Sequence, residues 1–522
     1  MSKTYLQGAI IITIASLLSK IIGSVFRIPL QNIAGNEVFG IFTIVYPVYM
    51  TVLTLSVAGI PLAISKLISE ARVKNDQASV RNIFVTASIL GVLFGISSFA
   101  IIALFSQPIS SLLGGEYARL SLLIVSTTLL VAPYMAVYRG YFQGFEDMKP
   151  TAISQVLEQL VRVGILLLVA YFLVSQGYAA HIVAGGVMIG SIFGAMSSLI
   201  YLRSKYQHSS DIKPVALEKY SFTLFKGWSK KILLLSLPIC IGALTMALIN
   251  VIDSITVPRQ LAAIGFEALE IPGIYNYYGR GQALVQIAVV FAQALTLPLI
   301  PLISSSLVTK DVKRTTKIIE QGLAFTHLTA WPAAIGLFVL TIPLNFALFG
   351  DFQENGVIAV VHISALFTAI AVLTTGILQG MNRTISSALL VVTVSIVKVI
   401  LNILFIHQFG LIGVAYSTLI VYILLACFNI WLMRKTISFS IWKREYSVFA
   451  ISAVVMGVVI AIPTIWLQVE TWPRLYAIGY VLFMIIVGAM IYGVLVLRFK
   501  GLSNDELRKI PLIGGKLIKI SS

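Results

Sequence analysis

Apolar stretches of twenty or more residues succeed one another along nearly the whole of this 522-residue chain, and that pattern leaves few folds open. About 20 apolar residues is the length a helix needs to cross the hydrocarbon core of a bilayer. With 58% of residues hydrophobic and only 11% charged, there is too little polar surface to cover soluble cores. A soluble enzyme, a nucleic-acid module and a disordered scaffold are all excluded. The chain reads as an all-α integral membrane protein. Its first apolar run, Gly8 to Gln31, is too long for a signal-peptide core and lacks a small-residue cleavage site, so it reads as a first spanning helix.

Fourteen transmembrane helices are expected, near 8–32, 39–64, 83–105, 120–143, 151–175, 180–202, 232–257, 282–308, 318–349, 357–381, 385–407, 411–433, 447–468 and 475–497. The net charge of +17 is then read by position rather than by sum. Of the 37 Lys and Arg residues, 29 fall in the even-numbered loops and the termini, and four, Arg119, Arg259, Arg280 and Arg474, in the odd-numbered loops. Positive residues accumulate on the cytoplasmic side, so both termini of this multi-pass protein are expected there. The connection 204–231 mixes Lys with Phe222, Phe225 and Trp228, as an amphipathic segment on the inner leaflet or a solvated basic loop would. Ser503 and Glu506 form a capping box that predicts a short helix in the tail, 500–522.

The chain also repeats itself. Gly140, Gln143 and Gly144 match Gly376, Gln379 and Gly380 at an offset of 236, and Arg162 falls on Lys398 in the same register. Pro61 matches Pro298 at 237. Each match joins span n to span n+6, so the copies share one orientation and form a parallel repeat. Two six-helix lobes are expected, 1–203 and 232–434, with two further helices in 435–499. Prolines 29, 47, 61, 133, 238, 298 and 301 predict kinks.

Four cations lie inside the spans: Lys20, Arg27, Arg162 and Lys398. A charge near the bilayer centre costs about 2.5–3.5 kcal/mol on insertion scales, so each needs a partner or a purpose. Glu158 and Arg162 are spaced i,i+4, close enough to pair on one helix face. Lys398 needs an acid from another helix, and Asp253 is the candidate, with Asn402 one turn further on. Lys20 and Arg27 share a stripe with Thr13, Ser16, Ser24 and Gln31 that carries no acid. Either Lys20 pairs with Glu158 while Arg27 snorkels outward, or the stripe lines a cavity of positive field suited to a multiply charged anion such as phosphate. Gln282 and Gln286 lie on one face of span 8, placed to bind sugar hydroxyls or to glue helices together. The two cysteines lie in apolar runs, the five histidines lack metal-ligand spacing, and no phosphate-binding Walker loop occurs. No enzyme activity, metal, cofactor or nucleic-acid partner is expected.

The stretch from Arg139 to Pro150, Arg-Gly-Tyr-Phe-Gln-Gly-Phe-Glu-Asp-Met-Lys-Pro, continuing through Gln155 and Glu158 to Arg162, resembles the polysaccharide-transport branch of the multidrug/oligosaccharidyl-lipid/polysaccharide (MOP) superfamily. Within it the chain resembles the group of stage V sporulation protein B and the Gram-positive lipid II flippases. The resemblance implies an alternating-access flippase for undecaprenyl-pyrophosphate-linked sugars, working as a monomer among membrane lipids and alongside the cell-wall synthesis machinery. It implies pyrophosphate contacts from Arg27 and Lys20, an outer acid at Glu37 and an outer arginine at Arg280. A second-helix arginine of the group has no counterpart near Tyr46 to Tyr49. Some relatives hold sodium between helices 7, 11 and 12, where Asp253, Asn402 and Thr418 would fit. Lys398 stands where a neutral ligand is expected, so no sodium dependence is expected here. A drug exporter of the same superfamily would need an acidic cavity, and a membrane-embedded glycan transferase an acid cluster on the outer face. Neither feature is evident in the sequence.

Overall fold

The computed structural model describes residues 3–57, 59–208 and 220–502, which form helices joined by short connections. The capping box in the tail and most of the basic connection after span 6 lie outside the described residues. By internal packing the chain divides into two units, Met1–Asn276 with Thr384–His407, and Tyr277–Arg383 with Gln408–Ser522.

The first unit contains α1 (Lys3–Val25), α2 (Arg27–Val57), α3 (Ile60–Val73), α4 (Gln77–Leu104), α5 (Ser106–Leu112), α6 (Arg119–Ser126), α7 (Ala132–Gly144), α8 (Lys149–Ser175), α9 (Ala180–Val187), α10 (Ile189–His208) and α11 (Phe222–Ala263). The second contains most of α12 (Ile271–Val308), then α13 (Val312–Val339), α14 (Thr341–Phe349) and α15 (Asn355–Gly380). After α16 (Thr384–Phe409), which packs with the first unit, it resumes with α17 (Leu411–Arg434), α18 (Arg444–Trp466) and α19 (Arg474–Arg498).

Twelve helical segments among the described residues are long and apolar enough to span, rather than the fourteen expected. Two places account for the difference. Ile14–Val73 runs as one apolar segment of 60 residues, where two spans are expected, and α11 is not among the twelve. The first segment does not continue straight. Gly35 has φ 83 and ψ 178, a conformation open to glycine and strained for other residues. Phe26 and Phe42, sixteen positions apart, touch edge to face at 5.6 Å, whereas a straight helix would separate them by about 24 Å. The chain therefore doubles back at Gly35, with Gln31 donating to Asn36 across the turn at 3.0 Å.

Ser221 caps α11, its hydroxyl accepting from the Leu224 N–H at 3.3 Å, so residues from Phe222 onward are the first turns of a 42-residue helix. Prolines act in two ways. Pro61 and Pro133 occupy the first turn of a new helix, where the missing N–H costs nothing, whereas Pro47, Pro298 and Pro301 lie inside helices.

Burial is inverted relative to a soluble bundle. On α8, Leu168, Tyr171 and Phe172 are 61–70% exposed while Arg162 is 7% exposed. An apolar exterior with charges inside suits a lipid surround. The repeated glycines share one task. A Cβ on Gly140 would stand 2.8 Å from the Pro61 backbone, and one on Gly376 would stand 2.0 Å from the Thr296 side chain. In each unit a glycine lets span 4 or 10 press against span 2 or 8, the contact that small residues provide in membranes.

Candidate functional site

Polar groups concentrate in the first unit where α1, α2 and α8 meet. Ser16 donates to Gln155 Oε1 at 3.1 Å, tying α1 to α8. Lys20 is half-buried, and Arg27, just past the break at Phe26, is buried at 8% exposure. No hydrogen bond or ion pair joins Arg27 to any described residue, and its Nε is a buried donor without an acceptor. Arg162 reaches the same region from α8. One of its terminal nitrogens donates to the Tyr46 hydroxyl at 2.6 Å. Its guanidinium carbon lies 5.1 Å from the Tyr46 ring centre and 5.7 Å from that of Phe26. Phe42 stacks on Tyr46 at 5.0 Å and completes the aromatic wall. The Nε of Arg162 is likewise buried without an acceptor. Arg27 directly follows Phe26, whose ring the Arg162 guanidinium faces.

This differs from the pairing the sequence suggests. Glu158 does not pair with Arg162 one turn away, nor with Lys20. It accepts from Arg139 on α7 at 2.7 Å. Arg139 also donates to Ser154 and Ser198, both at 3.0 Å. Those hydroxyls fix the guanidinium, and the carboxylate turns toward the donor already held in place. Arg27 does not snorkel. Arg139 stands at the end of the expected fourth span, where an arginine reads as a loop charge rather than as the partner of an intramembrane acid.

In the second unit Arg280 is wholly buried. It donates to Asn345 Oδ1 and to Asp351 Oδ2, each at 3.0 Å. The rings of Tyr277 and Phe349 lie 4.7 and 5.2 Å from its guanidinium carbon. Asn345 donates in turn to the Gln353 carbonyl at 3.2 Å and to Asn355 at 2.9 Å, and Tyr277 bonds Gln353. Burial alone would raise the Asp351 carboxyl, but the Gln353 N–H and the Arg280 guanidinium outweigh it and hold the group below its usual value. Asp351 was also missed, because it sits in the turn after span 9, where an acid ordinarily reads as a solvated loop residue. Gln282 donates to the Tyr278 hydroxyl at 2.8 Å within α12, and Tyr278 meets Thr418 at 2.9 Å, so it is Tyr278 that joins α12 to α17. Gln286 is half-buried and Glu37 is exposed.

The structure brings together Asp253 of α11 and Lys398 and Asn402 of α16. Lys398 Nζ is 3.0 Å from Asp253 Oδ1, and both side chains are buried. Asn402 donates to the same oxygen at 3.0 Å and to Thr256 at 2.7 Å. The Lys398 ammonium thus stands directly beside the carboxylate. No group of three or more His, Cys, Asp or Glu side chains suited to a metal ion occurs among the described residues.

With Glu158 taken by Arg139 and Asp253 by Lys398, the three cations near α1 and α8 have no carboxylate of their own among the described residues. A cluster of this kind can bind an anion.

Comparison with known proteins agrees with this architecture. A family model described as polysaccharide biosynthesis protein matches residues 5–307. The chain is 28% identical over 515 residues to the uncharacterized membrane protein YabM of Bacillus subtilis, covering 98% of this chain and 96% of that one. It is 25% identical over 531 residues to stage V sporulation protein B of the same organism, covering 99% of each. It is 26% identical over 507 residues to the lipid II flippase MurJ of B. subtilis, covering 92% of this chain and 91% of that one. Among solved structures, a lipid II flippase MurJ in an inward closed conformation superposes with a TM-score of 0.65 at 16% identity, covering 94% of this chain and 98% of that one. An inward-facing multidrug resistance MATE transporter gives 0.65 at 15% identity, over 82% and 97%. The chain is therefore a multi-pass membrane protein and belongs to the family described as polysaccharide biosynthesis protein.

Proposed function

We propose that this protein is a flippase for polyprenyl-pyrophosphate-linked sugars, such as a cell-wall precursor or a polysaccharide repeat unit. The observation that carries the reading is Arg27, a buried guanidinium with no carboxylate partner among the described residues. Leaving a buried cation uncompensated costs several kcal/mol, so its natural complement is a ligand anion. Lys20, half-buried one or two turns away, adds a second cation on the same stripe. The relation to the B. subtilis lipid II flippase supports a lipid-linked sugar as the cargo. In this reading Lys20 and Arg27 capture the pyrophosphate, the prenyl tail stays in lipid, and Gln286 faces the sugar. Arg280, already engaged by Asn345 and Asp351, holds the outer part of its own unit together rather than gripping cargo. Glu37, which is exposed, stands at the outer end of the first hairpin in this reading.

The same reading takes fourteen crossings, counting the hairpin folded at Gly35 as two and adding α11, with both termini cytoplasmic. It takes two parallel six-helix lobes, 1–203 and 232–434, followed by two further helices, and the matched glycine contacts support that repeat. An inside-negative potential favours outward movement of an anion by about 2.3 kcal/mol per charge per 100 mV, so the cycle needs no ATP. The test is reconstitution of the protein into liposomes with defined undecaprenyl-pyrophosphate sugars, reading exposure in each leaflet. Protein-dependent exchange of these lipids is expected. Exchange no faster than in protein-free vesicles would refute the function.

A further inference from the structure

We propose that Arg162 is a second guanidinium ligand of the transported lipid, held by Tyr46, and that the Arg27–Arg162 pair selects a diphosphate linkage over a monophosphate one. This rests on the anion-binding reading above and names the residues that set its charge.

Arg162 has the marks of a ligand rather than of a packed structural arginine. It is 7% exposed, yet among the described residues its five N–H donors make one hydrogen bond, to Tyr46 at 2.6 Å. Its Nε is buried with no acceptor, as is the Nε of Arg27. The acid that could neutralise it, Glu158, is held by Arg139 at 2.7 Å. What fixes Arg162 is aromatic: the Phe26 and Tyr46 rings at 5.7 and 5.1 Å. A ring face stabilises a guanidinium without consuming its donors. The fork is thus oriented but its hydrogen-bonding capacity is kept. Contrast Arg280, which has two similar rings but also a carboxylate and an amide on its terminal nitrogens.

Phe26, the residue before Arg27, lies 5.7 Å from the Arg162 guanidinium carbon, which puts the two buried guanidiniums in one region where a single ligand can answer both. A diphosphate diester carries two negative charges on adjacent phosphates, each able to accept from a planar fork. It neutralises the pair. A monophosphate diester carries one charge and leaves one guanidinium uncompensated. Tyr46 is the positioning residue, since its hydroxyl takes one terminal nitrogen of the Arg162 fork at 2.6 Å and no other hydrogen bond to the fork occurs among the described residues.

The experiment uses the full-length protein in lipid nanodiscs and two probes, a short-chain polyprenyl diphosphate disaccharide and its monophosphate counterpart. Affinity for both is measured for the unsubstituted protein and for R27Q, R162Q and Y46F, each checked for monodispersity and thermal unfolding. R162Q is expected to weaken diphosphate binding at least tenfold and to bring the ratio of the two affinities near one. Y46F is expected to weaken diphosphate binding about threefold to tenfold and to lower the ratio. If R162Q leaves the ratio unchanged while R27Q abolishes binding, Arg162 is structural and the proposal falls, though the flippase reading stands. If R27Q and R162Q both bind like the unsubstituted protein, the anion site itself is wrong. Should R162Q fail to fold, Y46F decides: an unchanged ratio overturns the proposal, and a reduced one supports it.

Discussion

Glu158 and Arg139 close a 2.7 Å ion pair between α8 and α7, and Arg162, one turn along α8, makes no ion pair among the described residues. Charge in the first unit is thus arranged so that one arginine is neutralised internally and its neighbour is kept open. Arg139→Gln should disturb both. Hydrogen bonds to charged groups contribute about 1.5–3 kcal/mol, so a lower thermal midpoint is expected. The freed Glu158 should also turn to Arg162 and weaken anion binding, although no ligand group has been removed. Measuring affinity for a diphosphate-linked lipid checks this, and unchanged affinity in a destabilised Arg139→Gln protein would rule it out.

A buried ion pair joins α11 to α16. Removing Lys398 strands Asp253 at 2% exposure, and breaking such a pair costs about 3–5 kcal/mol. Lys398→Met should therefore lower the unfolding midpoint sharply, and adding Asp253→Leu should restore much of it. Because the ammonium already occupies the carboxylate at 3.0 Å, exchanging sodium for choline should leave the transport rate of the unsubstituted protein unchanged. A rate that rises with sodium would contradict this role for Lys398.

The Asp351 carboxyl is held below its reference value of 3.8 in the folded protein. A depressed carboxyl stabilises the fold above its unfolded pKa, and that contribution fades as pH falls through the folded value. The unsubstituted protein should therefore melt higher than Asp351→Asn at neutral pH, with the gap constant down to about pH 5 and closing below about pH 4. Thermal unfolding across that range is the check. A gap that persists undiminished at low pH would show that charge is not what Asp351 contributes.

The repeat predicts matched sensitivity. Gly140→Leu and Gly376→Leu each force a side chain into a neighbour less than 3 Å from where its Cβ would sit. Overpacking of this kind costs about 1–3 kcal/mol. Comparable losses of thermal stability are expected for the two variants. A large loss at one site and none at the other would break the equivalence of the two contacts.

Most of the architecture was legible because hydropathy reports lipid exposure directly, and twelve helical segments carry that signal among the described residues. The rest depended on geometry that hydropathy does not encode. Gly35 turns the chain within an unbroken apolar run, and only its φ of 83 and the Phe26–Phe42 contact reveal the reversal. Charge type was readable, as with Lys398 and Asp253, which meet at 3.0 Å although their positions along the spans suggest different depths. Pair choice was less so. The i,i+4 spacing of Glu158 and Arg162 permits a bond that Arg139 takes instead, because Ser154 and Ser198 have already fixed its guanidinium. Arg280 was picked out by its position at a helix opening. Its Asp351 and Asn345 partners lie 71 and 65 residues away, a separation that spacing rules do not reach.

The central claim, that an uncompensated buried cation captures a lipid-linked anion, is tested most directly at Arg27. The measurement is the rate at which undecaprenyl-pyrophosphate sugars cross between leaflets of liposomes containing Arg27→Gln, compared with the unsubstituted protein at equal incorporation and matched thermal stability. The account predicts a fall of tenfold or more with the fold intact. Full transport by Arg27→Gln would contradict it.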